Sequence, residues 1–123
     1  MNGYVKRFAA FLLASALFFS ICSCGGYVGG ADVYDINENG DALLTFMPQK
    51  VLEHICIGET AMVRIGNRTL EMPLIDELIA EEGKLQLYYD KSDFTIKICI
   101  FGGSFCDTYG VGKGDKIKVF KAD

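Results

Sequence analysis

Two cysteines close to the N-terminus, Cys22 and Cys24, have the spacing of a lipidation site. The sequence Ile21-Cys22-Ser23-Cys24 matches the bacterial lipobox, with an aliphatic residue at the third position before the cysteine and a small residue immediately before it. The signal peptidase of lipoproteins cuts before a cysteine whose sulfur already carries diacylglycerol, and the small preceding side chain lets that bond enter the enzyme. We therefore predict that Cys24 is lipidated. Cys22 fits less well, because Ile21 would occupy the small site.

The segment before Cys24 has the parts of a secretory signal peptide. Lys6 and Arg7 form a short positive region, residues 8–19 are apolar except for Ser15, and small residues follow. The apolar stretch is shorter than the roughly 20 residues that a helix needs to span a bilayer. We predict that residues 1–23 are a lipoprotein signal peptide; the alternative is an ordinary cleaved signal with two incidental cysteines. Residues 24–31 are rich in glycine and are predicted to be a lipidated tether.

Three further cysteines would remain after lipidation, and their state is left open by the sequence. Cys99 and Cys106 flank Gly102 and Gly103, and they could form a disulfide if that turn closes. Free buried thiols are the alternative that we favour, because cysteine is commonly buried as a small apolar side chain. With Cys56, the number of cysteines is odd for a protein outside the cytoplasm.

Other groupings of reactive side chains are predicted to be structural. A metal site needs three or four converging ligands, and His54 has only Cys56 near it in the sequence, so we predict no metal. The glycines of residues 110–114 resemble a phosphate loop, but an alternating strand pattern follows them where a helix would be required. The acids of residues 76–82 lie in a polar connection and are predicted to be a solvated face. No catalytic residue is assigned.

Charge and length restrict the class of protein. The chain has 12 basic and 16 acidic residues in 123, and the predicted signal peptide holds two of the basic residues and none of the acids. The remaining 100 residues therefore carry a formal charge of −6. A domain this acidic is a poor candidate for nucleic acid, because affinity for phosphate backbones comes mainly from clustered Lys and Arg. A hundred residues are enough for one hydrophobic core.

Alternating apolar residues predict a mainly β domain. Phe94, Ile96, Ile98 and Ile100 are predicted to form the buried face of a strand over residues 94–101. The other predicted strands are residues 33–36, 41–46, a hairpin of 60–65 with 68–72, residues 85–89, and an edge strand over 116–120. Strands at this spacing indicate an all-β barrel or sandwich.

Helical signals are short. Residues 48–55 begin with a proline, and Val51, Leu52 and Ile55 share one face of a helix that Gly58 is predicted to end in a left-handed cap. Residues 105–109 lie between glycines and are predicted to form another single turn. The predicted fold is a small β-barrel with one or two short helices, following the signal peptide.

The segment of residues 98–119 resembles a known family. It contains an apolar strand, a turn with Gly102 and Gly103, a short helix, Gly110, and then Gly114-Asp115 before a last strand. This order resembles the closing segment of the C-terminal β-barrel domain of the S-adenosylmethionine hydroxide adenosyltransferases, relatives of the fluorinase and chlorinase. Gly40-Asp41 and the hairpin around Gly66-Asn67 fall in the order expected of small lipoproteins that carry this domain alone, and the resemblance covers about residues 32–121.

The resemblance implies binding without catalysis. The family's enzymes bind S-adenosylmethionine between the N-terminal domain of one subunit and the barrel of its neighbour in a trimer, and 123 residues leave no room for that N-terminal domain. Phe101 also stands where the family usually has Asn. Ser104 and Phe105, with Gly102 and Gly103, occupy the turn whose backbone approaches adenine in the family. The resemblance therefore implies that they are ligand contacts. We predict no resident cofactor.

These observations together predict a lipid-anchored protein of the bacterial envelope, outside the cytoplasm. Its barrel would be non-catalytic and would recognise a nucleoside-like small molecule or a protein partner, and the membrane would be contacted through the lipid. One alternative is an accessory subunit that completes an adenosyltransferase or hydrolase site with a separate catalytic domain. The other is a purely structural envelope lipoprotein.

The anchor can be tested by substitution. Cys24→Ala should block lipidation and leave an uncleaved or soluble form, because the lipidated sulfur is the substrate of the peptidase, whereas Cys22→Ala should change little. Membrane fractionation and mass spectrometry of the processed protein would measure both effects. An unmodified Cys24 in the processed native protein would contradict the prediction.

Overall fold

The structure is a computed structural model that describes residues 26–122. The predicted signal peptide and the predicted lipidation site, Cys24, lie outside the described residues. No helix within residues 26–122 has the length and apolar character needed to cross a membrane.

Seven strands form a closed barrel with two short helices, which confirms the predicted mainly β barrel. In chain order the elements are β1 (Tyr27–Ile36), β2 (Ala42–Leu44), α1 (Pro48–Leu52), β3 (Thr60–Ile65), β4 (Arg68–Ile75), β5 (Leu85–Asp90), β6 (Thr95–Ile100), α2 (Phe105–Tyr109) and β7 (Lys116–Lys121). Around the barrel the order is β1-β2-β6-β5-β4-β3-β7.

The helices mark the two ends of the barrel. α1 lies in the connection from β2 to β3, at the end that also holds the β5–β6 turn, the start of β1 and the end of β7. α2 lies in the connection from β6 to β7, at the end that holds the β1–β2 and β3–β4 turns. We call these the α1 end and the α2 end.

All neighbouring strands are antiparallel except β4 and β5, which run parallel. Their connection, residues 76–84, must therefore cross from the α1 end to the α2 end along the outside. Gln86 holds this crossing segment in place, because its fully buried carboxamide accepts a hydrogen bond from the N–H of Ile79 (2.8 Å) and donates to the carbonyls of Ile79 and Lys84.

The strand predicted over residues 94–101 is β6, and it lies between β2 and β5. Ile96 and Ile98 are fully buried in the core, and Ile100 is partly buried. The prediction that Phe94 belongs to this buried face is wrong. Phe94 ends the β5–β6 turn with a positive φ of 57°, and its side chain is 71% exposed. A backbone in this conformation breaks the alternation of faces that the sequence pattern assumes.

The predicted hairpin around Gly66 is present. Ile65 pairs with Arg68, and Gly66 has a φ of 63°, as a two-residue turn with glycine first requires. β4 continues beyond the predicted end to Ile75, where it pairs with β5.

The prediction that residues 116–120 form an edge strand is wrong. β7 pairs with both β1 and β3, so it closes the barrel. Ile117 and Val119 are fully buried, whereas Lys116 and Lys118 are exposed on the outside. The outward lysines lie on the solvent-exposed outer surface of the barrel. A strand in a closed barrel and an edge strand therefore show the same alternation of apolar and charged residues.

β1 begins at Tyr27, within the segment predicted as a tether. Val28 is buried in the core, and Gly30 pairs with Lys118. Close approach of two backbones requires a glycine at Gly26, where a Cβ would clash with the carbonyl of Lys121. The folded domain therefore starts at least five residues before the predicted boundary at residue 32.

Both predicted helices exist. Val51 and Ile55 are fully buried at the α1 end, as their spacing predicts. Gly58 does not cap α1, because the helix ends at a right-handed Glu53, and Gly58 lies in the next turn, where its N–H donates to the carbonyl of Leu74. α2 ends at Gly110, which has a φ of 66°.

The face assignment predicts unequal effects of substitution on the two sides of the barrel wall. Ile98→Ala should lower the free energy of unfolding by about 2–5 kcal/mol, because it opens a cavity at a fully buried site. Lys118→Ala, on the outer face of β7, should change it by no more than about 0.5 kcal/mol. Urea unfolding would measure both, and comparable losses would show that the face assignment is wrong.

Candidate functional site

A groove of about 620 Å³ lies on the outer face of β5 and β6 and extends to the α2 end. Its lining mixes carboxylates, amides, a lysine, a phenol and a thiol with apolar side chains and two glycines. These residues are Asn37, Asn39, Asp41, Leu78, Tyr88, Asp90, Lys97, Cys99, Ile100, Phe101, Gly102 and Gly103.

Strand pairing places the polar side chains of the groove on one surface. Tyr88 of β5 is directly opposite Lys97 of β6, and Gln86 is opposite Cys99. Directly opposed residues project from the same face of a sheet, so these side chains all point outward, whereas Ile96 and Ile98 point into the core.

The β1–β2 turn supplies the rim of the groove at the α2 end. The Asn37 side chain accepts hydrogen bonds from the N–H groups of Asn39 and Asp41, both at 3.0 Å, and donates to the Asp41 carboxylate at 2.9 Å. Gly40 packs against Ser104, where a Cβ would clash, and its carbonyl accepts the N–H of Cys106 at 2.9 Å. This turn is therefore fixed to the start of α2.

A short ion pair joins Lys97 and Asp90, with 2.8 Å between Nζ and Oδ2 and with side chains only 13% and 16% exposed. Hydrogen bonds from Lys97 and Ser92 lower the pKa of Asp90 to about 2. Burial alone would lower the pKa of Lys97, but its hydrogen bond and attraction to Asp90, together with Asp93, outweigh burial and raise it. Both groups therefore remain charged at neutral pH.

The other titratable groups of the groove with shifted pKa values remain uncharged at neutral pH. Cys99 is 4% exposed, and burial, followed by the negative charge of Asp41, raises the pKa of its thiol to about 12. Burial and the charge of Asp90 raise the pKa of Tyr88. The thiolate is the nucleophilic form of cysteine, so Cys99 is inert in this environment.

The residues that the family resemblance points to are only partly brought together. Gly102 and Gly103 line the groove. Ser104 begins α2, and its hydroxyl accepts the N–H of Asp107 at 3.1 Å. The side chain of Phe105 is fully buried in the core, so it does not face the groove. The physical reason is that α2 must cover the apolar interior at this end, and Phe105 is its largest inward side chain.

The three described cysteines are free thiols, and the alternative disulfide between Cys99 and Cys106 is not formed. Cys99 faces the groove, whereas Cys106 packs against the core from α2. Cys56 and His54 are exposed after α1. Nowhere in residues 26–122 do three or more metal-ligating side chains converge.

Sequence reasoning missed the polar wall of the groove. Tyr88, Asp90, Lys97 and Cys99 alternate with the core residues of two adjacent predicted strands. The sequence does contain the information, because a hairpin turn over residues 91–94 places these side chains on the same face of two paired strands. The contribution of Asn37 and Asp41 could not be found in this way. Both lie in the β1–β2 turn, which reaches the groove only because β2 pairs with β6, a strand far away in the sequence.

The ion pair predicts an acid-dependent stability. The pKa of Asp90 is lowered from 3.8 to about 2 on folding, so its contribution is present above pH 3.8 and is lost as the pH falls through about 2. Asp90→Asn should lower the stability at neutral pH, and the difference from the parent protein should shrink between about pH 4 and 2. Urea unfolding across this range measures it.

Glu38→Gln is the matched control, since Glu38 is exposed and makes no ion pair among the described residues. A difference between Asp90→Asn and the parent protein that is constant down to pH 2 would contradict the assigned pKa.

No known protein family matches the chain, and no curated protein matches it. Solved structures with the same fold do exist. An uncharacterized conserved protein from Thermotoga maritima aligns with a TM-score of 0.67 at 14% identity, over 86% of this chain and 42% of that one. A conserved hypothetical protein from Thermus thermophilus aligns with a TM-score of 0.54 at 16% identity, over 75% and 33%. The chain is thus similar in fold to part of each larger protein, and it spans less than half the length of either.

Proposed function

We propose that this chain is an envelope lipoprotein of bacteria, anchored outside the cytoplasm through Cys24, whose barrel binds a small nucleoside-like molecule without transforming it. The site is the groove on β5 and β6. The main support for the proposal is the composition of this groove, in which fixed polar groups lie beside apolar side chains and two glycines.

The groove offers complementary surfaces for a molecule with a flat ring and several hydroxyl groups. Leu78, Ile100 and Phe101 provide apolar surface on which a ring can lie. Asn39 and Asp41 provide hydrogen-bonding groups at the rim, and hydroxyl groups of a sugar are suitable partners for them. Gly102 and Gly103 carry no side chain, so a base edge can approach their backbone closely.

The charge states in the groove favour binding over catalysis. A general acid or base is most effective when its pKa lies near the working pH. Asp90 has a pKa of about 2, the pKa of Cys99 is about 12, and the pKa of Tyr88 is raised. The resemblance to one domain of the adenosyltransferases points in the same direction, since two domains build the reactive pocket of that family.

A second candidate is an accessory subunit that completes an active site with a separate catalytic domain. The same barrel fold occurs as a minor part of two larger proteins, at 42% and 33% of their lengths, which supports a role beside another domain. The two candidates differ in one respect: an accessory subunit would need a partner before any adenosyl chemistry is seen.

The binding proposal can be tested by filling the groove. The processed chain should gain thermal stability with adenosine or S-adenosylmethionine, because a ligand that binds only the folded state raises its melting temperature. Gly103→Leu should abolish this gain, since Gly103 lines the groove and has a φ that accepts a side chain. Incubation with S-adenosylmethionine should release no adenosine above the blank.

Gly112→Leu is the matched control, because a Cβ there meets nothing within 4 Å and the position lies outside the groove. It should keep the full thermal shift. No shift with any nucleoside tested would contradict the ligand class and favour the structural lipoprotein. Adenosine release that Gly103→Leu removes would contradict the non-catalytic assignment.

A further inference from the structure

Large exposed apolar side chains are concentrated at one end of the barrel. Of the six in the described residues, Met47, Ile57 and Phe94 lie in connections at the α1 end, and Tyr27 lies at the start of β1 there. Met47 is 66% and Phe94 71% exposed. Single exposed apolar side chains are normal on a protein surface. What sets these apart is that they share one end of the barrel with the start of β1.

The predicted lipid would be attached at this same end. Gly26 is already bound to the barrel, since its carbonyl accepts the N–H of Lys121 at 2.6 Å. Only Gly25 separates it from Cys24, and two residues of extended chain reach no more than about 7 Å. The lipid on so short a connection would hold the start of β1 close to the membrane, and it leaves the tilt of the barrel to be set by other contacts.

We propose that the α1 end rests directly on the phospholipid surface, with Met47, Ile57 and Phe94 inserted at the level of the head groups. This inference rests on the proposed lipidation of Cys24. In addition to the lipid anchor, it gives the barrel a defined orientation and a second contact with the membrane. The acyl chains hold the protein at the membrane, whereas the inserted side chains determine which end of the barrel faces the lipid.

The charges at the α1 end favour an apolar contact over an electrostatic one. Lys91 pairs with Asp76 at 3.2 Å, and Lys121 with Glu59 at 3.7 Å. Lys50 of α1 is exposed and makes no ion pair among the described residues, but the exposed Glu53 at the end of the same helix balances its charge. A protein of net negative charge would gain little from anionic lipid. Because the anchor makes the second contact intramolecular, a few inserted side chains are sufficient. We therefore assign a zwitterionic phospholipid surface as the binding partner of the α1 end.

This orientation keeps one end of the groove accessible, whereas the other end, at Asp90, lies beside the β5–β6 turn and the α1 end. Its rim is formed at the α2 end by the β1–β2 turn and by Gly102 and Gly103. The α2 end is separated from the lipid by the height of a tilted six-residue strand along the barrel axis, roughly 15 Å.

The native thiol of Cys56 allows a direct test with the full chain. Cys56 is exposed next to Ile57, Cys99 and Cys106 are buried, and the thiol of Cys24 would be consumed by the lipid. The processed protein, labelled at Cys56 with a fluorophore and reconstituted in phosphatidylcholine vesicles, should lose most of its fluorescence when a quencher is attached to the lipid head groups. A label at the α2 end, placed with Cys56→Ser and Asn67→Cys, should lose almost none.

Met47→Ser with Phe94→Ser should restore much of the fluorescence at Cys56, since both residues are exposed and can change without loss of the fold. Tyr34→Ser is the matched control, because Tyr34 is 47% exposed on the outside of β1, away from the α1 end. Equal quenching at both label positions, with lipid on Cys24, would overturn the orientation while leaving the anchor intact. Mass spectrometry that finds no lipid on Cys24 would overturn the anchor, and the orientation with it.

Discussion

The pairing of β1 with β7 closes the barrel, and the position of the groove follows from that closure. A closed ring has no unpaired edge, but seven strands cannot alternate in direction all the way round. One pair, β4 and β5, must therefore run parallel, and residues 76–84 must cross the outside of the barrel to connect them. Gln86 holds this crossing segment against β5, and Leu78 within it becomes one wall of the groove.

The two faces of β6 belong to different parts of the molecule, the core and the groove. Its inward residues, Ile96 and Ile98, belong to a core that fills the barrel, and the groove lies on the outer face. Its outward residues, Lys97 and Cys99, are neither core nor ordinary surface, because β2, β5 and the crossing segment flank them. A polar surface that is this well fixed would cost little to organise on binding the ligand that we propose, which is the usual advantage of a pre-formed site.

The sequence allowed strands to be predicted where alternation was regular, as in β6 and β7, because a single buried face leaves a period-2 pattern. It also allowed β3 and β4 to be predicted, from the Gly66-Asn67 turn between them. It misplaced β7 at an edge, since outward lysines look the same on an edge and on a closed barrel. The start of β1 was missed because Gly29 and Gly30 suggest a flexible segment, whereas in the structure both pair with β7. The groove was only partly predictable: the glycines were identified by resemblance, but its polar wall depends on pairings between distant strands.

The place of β7 in the ring also determines when the domain can form. β7 is the last strand in the sequence, yet it lies between β1 and β3. During synthesis the first and third strands have no partner on that side until residues 116–121 emerge, so closure awaits the whole domain. Shortening the chain from its C-terminus would open two strand edges at once and leave both exposed to pairing with other chains.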